Sequence, residues 1–290
     1  MPKRERRPPG SAILWVAALL VMLSAALWQR QTGPTHPQQG EVEIAGQSVP
    51  YRLLRSGTSG EPLRVTVGAA PEVTATMRWR RYPTEEPFQG TTMLRDGDVL
   101  VGLLPTQPPA GKLEYQLVLA GPFGLARIPA EEPVVMRFKA PVPAWALVPH
   151  ILIIFLAMLV GVRTGLAAAF GRPEMRRLAQ ITLAGITVGG MILGPVVQKY
   201  AFGAFWTGWP FGYDLTDNKT LVMFLAWLVA LLVVATAPAR KDRFARTVVI
   251  LATVVMIAVY LVPHSLRGSQ LDYDKLESGQ SSEDAITTGR

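Results

Sequence analysis

The tetrapeptide Leu-Val-Pro-His occurs twice, at 147–150 and 261–264, each time at the edge of a long apolar run. A neutral imidazole is a good ligand for copper, zinc or iron, so His150 and His264 at matched depth could hold a transition metal or a haem. The plainer account is a pair of interfacial histidines beside helix-end prolines. It is favoured because neither has a further His at ligand spacing and the chain has no Cys. A second constellation lies at 198–220, where Tyr200, Phe202, Phe205, Trp206, Trp209, Phe211 and Tyr213 alternate with glycines and are followed by Asp214, Asp217, Asn218 and Lys219. Rings at this density form an interfacial belt, and Asp217 or Asn218 can cap the helix that follows. The sharper alternative is a shallow external pocket walled by Trp206, Trp209 and Phe211, with Asp214, Asp217, Asn218 and the two histidines at its rim.

The elements that position these residues follow from composition. The chain has 290 residues, 49% hydrophobic and 17% charged, with no cysteine. Disulfides, thiolate metal sites and cysteine nucleophiles are therefore excluded. The formal charge of +8 raises the question of nucleic acid. However, residues 40–140 hold eleven basic and eleven acidic side chains. The excess sits in three short pieces, 1–10, 163–177 and 238–246, each with a net charge of +3 and each flanking an apolar run. That is a membrane-topology pattern, and no basic surface for nucleic acid survives it.

Five apolar runs are long enough to span a bilayer: 11–28, 144–162, 178–197, 221–237 and 247–262. The first is longer than a signal-peptide core and lacks a small-residue cleavage site, so it reads as a retained signal anchor after a basic N-terminus at 1–10. Placing that N-terminus in the cytoplasm puts all three basic pieces inside. It puts the 29–39 linker, the 40–140 segment, the aromatic loop and the 264–290 tail outside. The expected fold class is thus a membrane all-α bundle, N-in and C-out, joined to an external all-β sandwich. The expected location is the cytoplasmic (inner) membrane of a bacterium. No ionisable residue is expected near the middle of a span, which argues against ion or proton coupling and leaves a small-solute transporter third among the readings. The glycines of the third span (Gly185, Gly189, Gly190, Gly194) suit close helix packing.

Residues 41–139 alternate with period two in seven runs, separated by Gly, Pro and Asp clusters. The stretch GDVLVGLLPTQPPAGKLEYQLVL at 97–119 resembles the late strands of fibronectin-III and immunoglobulin-like modules. That resemblance implies a sandwich and no ligand. The aromatic loop resembles that of uncharacterised bacterial multi-pass inner-membrane proteins pairing such a domain with a four-helix core, at 144–263 in this chain. The tail carries five acidic residues without apolar periodicity and is expected to be unstructured beyond Leu276. No nucleophile elbow, zinc-protease, phosphate-loop or dinucleotide motif is present. The leading expectation is a non-enzymatic envelope accessory or scaffold protein that contacts the lipid bilayer and a membrane or periplasmic protein partner. The alternative is a redox or metal-handling protein with its site between His150 and His264.

Overall fold

A computed structural model describes residues 10–44, 46–122, 124–236, 243–264 and 268–288. Most of the basic N-terminus at 1–10 and residues 238–242 of the third basic piece lie outside the described residues. The chain forms two compact units. One is drawn from Met1–Gly33, Val142–Gln198 and Phe205–Arg267, the other from Pro34–Pro141, Lys199–Ala204 and Gly268–Arg290.

The first unit holds five helices long and apolar enough to cross a membrane, which makes this a multi-pass membrane protein by length and composition. They are α1 (Ser11–Thr32), α2 (Ala144–Ala169), a third span at Met175–Phe202, α5 (Leu215–Thr236) and α6 (Arg243–Leu261). The third span comprises α3 (Met175–Gly185), a π-helical stretch at Ile186–Leu193 and α4 (Gly194–Phe202). All five run longer than hydropathy predicts, because helices continue through polar residues whose side chains find partners. Thus α2 passes Arg163, and α5 begins at Leu215 rather than 221.

The hub of the bundle is α2, which packs against α1, α3, the π-helical stretch and α6. Its glycines permit this approach. A Cβ on Gly165 would lie 2.6 Å from Thr253 Oγ1, and one on Gly161 would lie 2.7 Å from Met256. The third span meets α2 through its own glycines, where a Cβ on Gly185 would lie 2.8 Å from Ala157 Cβ.

Helix ends need acceptors and donors that a bilayer does not supply. Cations from neighbouring helices provide them at three C-termini. Arg246 donates to Ala168 O at 2.6 Å and Ala169 O at 2.7 Å, at the end of α2. Arg176 donates to Ala235 O at 3.3 Å, at the end of α5. The buried Lys219 donates to Val262 O, just beyond α6. Each also places a positive charge against the negative end of a helix dipole.

In the second unit a six-stranded sheet runs β3 (Ser56–Thr58), β11 (Val134–Lys139), β9 (Lys112–Gly121), β5 (Thr74–Arg81), β6 (Gln89–Thr92), with β10 (Gly124–Ile128) also on β9. A three-stranded sheet runs β4 (Leu63–Gly68), β8 (Val99–Leu104), β7 (Leu94–Asp96), and β1 (Gln38–Ile44) pairs with β2 (Gln47–Leu53). All these pairings are antiparallel except β3 with β11. Both sheets contribute to one core, from Val65, Val67, Leu100 and Leu104 on one side to Met77, Leu117, Met136 and Phe138 on the other. The seven expected strands coincide with β1, β2, β4, β5, β8, β9 and β11, the fourth starting one residue later than its run, at Thr74.

The tail differs from expectation. It forms β12 (Gln270–Leu271), α7 (Tyr273–Glu277) and β13 (Ile286–Thr287) and belongs to the β unit. Leu271, Tyr273 and Ala285 are buried, and Asp272 caps α7 through the amides of Asp274 and Lys275.

Burial, then the neighbouring Arg137 charge, pushes Lys112 down to about 8, and burial pushes Tyr273 up to about 12 and Tyr115 up as well. A lysine depressed in the folded state sheds its proton before the unfolded chain does, so stability rises with pH from about 8. A raised tyrosine has the opposite effect once the unfolded tyrosine ionises near pH 10. Stability of the β unit is therefore expected to climb by about 2 kcal/mol from pH 7 to a maximum between pH 9 and 10, then fall. Urea unfolding followed by pulse proteolysis of the full chain across this range checks it, and a flat or steadily falling profile contradicts it.

Candidate functional site

The aromatic loop is built on α5. Asp214 Oδ1 accepts from the amides of Thr216 at 2.8 Å and Asp217 at 3.4 Å, which caps the helix. Asp217 Oδ2 accepts from Thr207 N at 2.6 Å, Gln198 Nε2 at 3.1 Å and Thr207 Oγ1 at 3.3 Å. Asn218 Oδ1 accepts from Trp209 N at 2.6 Å. Gly208 lies so close that a Cβ there would be 2.5 Å from Asp217 Cβ, so glycine alone fits. The three polar residues named from the sequence are thus brought together, around the loop's own backbone. Thr207 and Gln198 complete the cluster and were not legible, because their roles depend on partners ten and nineteen positions away.

The rings point elsewhere. Trp209, Phe211 and Tyr213 are 67%, 78% and 72% exposed, while the half-buried Trp206 donates to Trp209 O at 3.0 Å. Rings this open present a surface rather than enclose a volume. Their amphipathic chemistry suits headgroup depth in a bilayer.

His150 Nδ1 lies 2.8 Å from Gly189 O. A carbonyl only accepts, so Nδ1 carries the proton and Nε2 keeps its lone pair. The same carbonyl also accepts the Gly194 amide in the π-helical stretch. His264 Nδ1 lies 2.6 Å from Gln29 Nε2, which also donates to Tyr260 O at 2.8 Å. With the amide orientation fixed by that carbonyl, His264 Nδ1 is the acceptor and Nε2 carries the proton. His264 is exposed at the surface of the helical unit. Even so, the surrounding protein, then the nearby Lys219 and His150 charges, push its imidazole to about 3. The two histidines therefore come close at one end of the bundle. Only His150 presents an uncommitted ligand nitrogen, and no group of three or more His, Cys, Asp or Glu side chains gathers among the described residues. A metal at this pair would find His150 Nε2 ready and would have to displace the Gln29 bond or shift the tautomer of His264 to gain a second nitrogen.

Arg163 is 1% exposed within α2, pairs with Glu174 Oε1 at 2.7 Å, lies 3.3 Å from Ser11 Oγ and stacks 5.5 Å from the Trp15 ring centre. Its Nε and Nη1 have no hydrogen-bond partner among the described residues. Burial pushes the Glu174 carboxyl up, but its own backbone bond and the Arg163 and Arg172 charges outweigh that and hold it below the usual range. The apolar residues after Arg163 (Gly165 to Phe170) are the signal that the helix continues past it.

In the β unit a groove of about 310 Å³ lies between β2 and β4, lined by Pro50, Arg52, Leu54 and residues 64–68. No protein-family model matches the sequence, and no curated protein matches it either.

Proposed function

We propose that this protein is a multi-pass scaffold or accessory protein of a bacterial cytoplasmic membrane. Its N-terminus is cytoplasmic, and an external immunoglobulin- or fibronectin-III-like unit engages a protein partner. The observation that carries this reading is the assembly of the β unit from three separated pieces, Pro34–Pro141, Lys199–Ala204 and Gly268–Arg290. One span precedes the first piece, two lie between the first and second, and two more precede the third. Alternation across five spans delivers all three to one side. The positive-inside rule makes that side external, since the 163–177 piece falls opposite it.

The scaffold reading is supported by how the polar groups are used. Asp214, Asp217 and Asn218 accept from backbone amides, and Lys219 caps a helix end. Meanwhile α1 exposes Ile13, Val16, Leu20 and Leu27 at 62%, 57%, 60% and 59%, an apolar surface suited to lipid. On the β unit Leu94, Leu103 and Leu125 are 74%, 56% and 76% exposed, the residue type a partner would cover. The parallel β3–β11 pair beside an antiparallel β11-β9-β5 set supports the immunoglobulin-like assignment.

The cysteine-free chain makes the test direct. Glu61→Cys and Ser278→Cys are expected to react with an impermeant maleimide on intact cells or spheroplasts, and Arg176→Cys only after lysis. The reverse pattern inverts the topology. A photocrosslinking residue at Leu94, Leu103 or Leu125 is expected to give a discrete adduct. Its absence at all three positions removes partner engagement.

A further inference from the structure

We propose that the outer face of the six-stranded sheet seats an extended acidic segment of the protein partner, with carboxylates on Arg78 and Arg127 and a peptide group on Gln116. This rests on the scaffold reading above and names the site and the chemistry of its partner.

Strand register defines the face. Ala75 and Met77 on β5 stand opposite Leu119 and Leu117 on β9, and all four belong to the core. Alternation then turns Thr76, Arg78 and Arg80 outward, together with Glu114, Gln116 and Val118. On β10, Ile128 is a core residue opposite Leu117, so Arg127 (opposite Val118) and Leu125 (opposite Ala120) share the outer side. Arg78 is directly opposite Gln116, and Arg127 stands diagonal to Gln116 across the other edge of β9. On β6, Gly90 is opposite Arg78 and Thr92 opposite Thr76, so no bulky side chain rises there.

Two successive cross-strand pairs on this face are built differently. Arg80 stacks 4.6 Å from the Phe88 ring centre and pairs with Glu114, so its charge is met. Arg78 stacks 5.2 Å from the same ring centre, but its register partner is the neutral Gln116. The ring orients this guanidinium and leaves its charge without a counterion. Arg127 is exposed. Among the described residues neither Arg78 nor Arg127 forms an ion pair. Glu86 is committed to Arg81, and Glu41 accepts from Ser48 Oγ at 2.9 Å.

Gln116 points to the ligand. It is 7% exposed, its side chain makes no hydrogen bond among the described residues, and both amide atoms still reach solvent. An amide left unpaired at this depth is costly, and a ligand that pairs it recovers the cost. A glutamine amide donates and accepts, as a peptide group does, so the two are complementary. The flanking guanidinium groups bind carboxylates in bidentate fashion. Thr76, Val118 and Thr92 make a floor of small side chains over which an extended segment can lie. A phosphate meets the arginines but brings no donor for Gln116 Oε1, so an acidic peptide answers the site more fully. Leu125, 76% exposed, gives the face an apolar margin two residues from Arg127. Of the three crosslinking positions above, it alone lies on this face, since Leu94 and Leu103 belong to the β4-β8-β7 sheet.

The test uses the full chain in phosphatidylcholine nanodiscs and a labelled, end-blocked peptide of alternating Glu and Thr as the probe. Arg78→Gln and Arg127→Gln are each expected to weaken probe binding about tenfold. Gln116→Leu is expected to weaken it about fivefold while raising the urea midpoint, because it removes an unpaired buried amide. Arg64→Gln removes the same charge from the other sheet and is expected to change binding less than about twofold. A loss at Arg64 equal to those at Arg78 and Arg127 would reduce the attraction to general charge and overturn the site. Unchanged binding by Gln116→Leu would overturn the peptide-group assignment, and equal binding of a Gln-Thr peptide would overturn the carboxylate assignment. Failure of the wild type to bind the probe would overturn the proposal, and binding of phosphatidylglycerol vesicles instead would make the face a lipid contact. Adducts at Leu94 or Leu103 without probe binding would remove this inference and leave the scaffold reading in place. Probe binding without an adduct at any of the three positions would do the reverse.

Discussion

Glu174→Ala is expected to destabilise the helical unit by about 2–4 kcal/mol, while Arg163→Leu costs less than about 1 kcal/mol. The asymmetry follows from where the two charges sit. The Arg163 side chain is 1% exposed and that of Glu174 is 33% exposed. Removing the carboxylate strands a guanidinium in a low-dielectric interior, with Ser11 at 3.3 Å and the Trp15 ring at 5.5 Å as its remaining polar company. Removing the arginine leaves a carboxylate that can turn to water and that already interacts with Arg172. Leucine also relieves the two guanidinium nitrogens, Nε and Nη1, that lack acceptors. The double variant is expected to unfold close to Arg163→Leu alone, giving a coupling of 1 kcal/mol or more, since the cost of losing Glu174 exists only while Arg163 is present. Unfolding in mixed detergent micelles measures all three. Equal costs for the two single variants would mean that Arg163 is hydrated and that the pair contributes no more than a surface bridge.

The same physics explains what the sequence could and could not reveal. Strands β4, β8 and β11 bury alternate residues, so period two exposes them in the bare sequence. Strands β6 and β7 are exposed at every position, and β3 has three residues. Such strands exist through their ladders to β5, β8 and β11 and carry no pattern of their own. The tail is the extreme case. Its order comes from Lys112, Arg81 and Lys199, distant in sequence, so local composition read it as unstructured beyond Leu276.

In the bundle, hydropathy found every span but clipped each of them at polar residues. It treats Arg163 and Lys219 as boundaries when each is a helical residue with a partner on another element. Arg176 and Arg246 carry two signals at once. Their charge fixes sidedness in the sequence, and their geometry caps neighbouring helices. The second role is invisible until the carbonyls of Ala235 and Ala168 are placed. In the candidate site, the cap expected of Asp217 or Asn218 falls to Asp214, because α5 starts at Leu215, and Asn218 instead accepts from the Trp209 amide. The role of Asp217 was only half legible, since its acceptor oxygen serves the loop rather than the helix.

That oxygen underlies the second large expectation. Asp217→Ala is expected to open the 203–214 loop at a cost of about 2–3 kcal/mol, because it leaves the Thr207 amide without its acceptor and leaves Gln198 Nε2 with Thr207 Oγ1 alone. Thr207 is 6% exposed, so water cannot fully replace the lost bond. Alanine keeps the Cβ against which Gly208 packs, so the cost lies in the lost acceptor. Asp217→Asn keeps one oxygen in place and is expected to cost about half as much. Trp209→Ala and Phe211→Ala remove side chains that are 67% and 78% exposed and are expected to change stability by less than about 0.5 kcal/mol. Limited proteolysis of the loop, together with detergent unfolding, ranks the four variants. The order alanine at 217, asparagine at 217, then the two ring deletions identifies the carboxylate as the clamp and the rings as the surface it presents. A stable Asp217→Ala chain with an intact loop and lost partner crosslinking would instead make that carboxylate part of the binding surface, returning the external pocket to consideration. The clamp also implies that losing the rings and losing the carboxylate should impair membrane or partner engagement alike, while only the carboxylate variant unfolds early. An exposed aromatic display has a defined orientation only if something beneath it is fixed, and here the fixing groups are Asp217, Asn218 and Thr207.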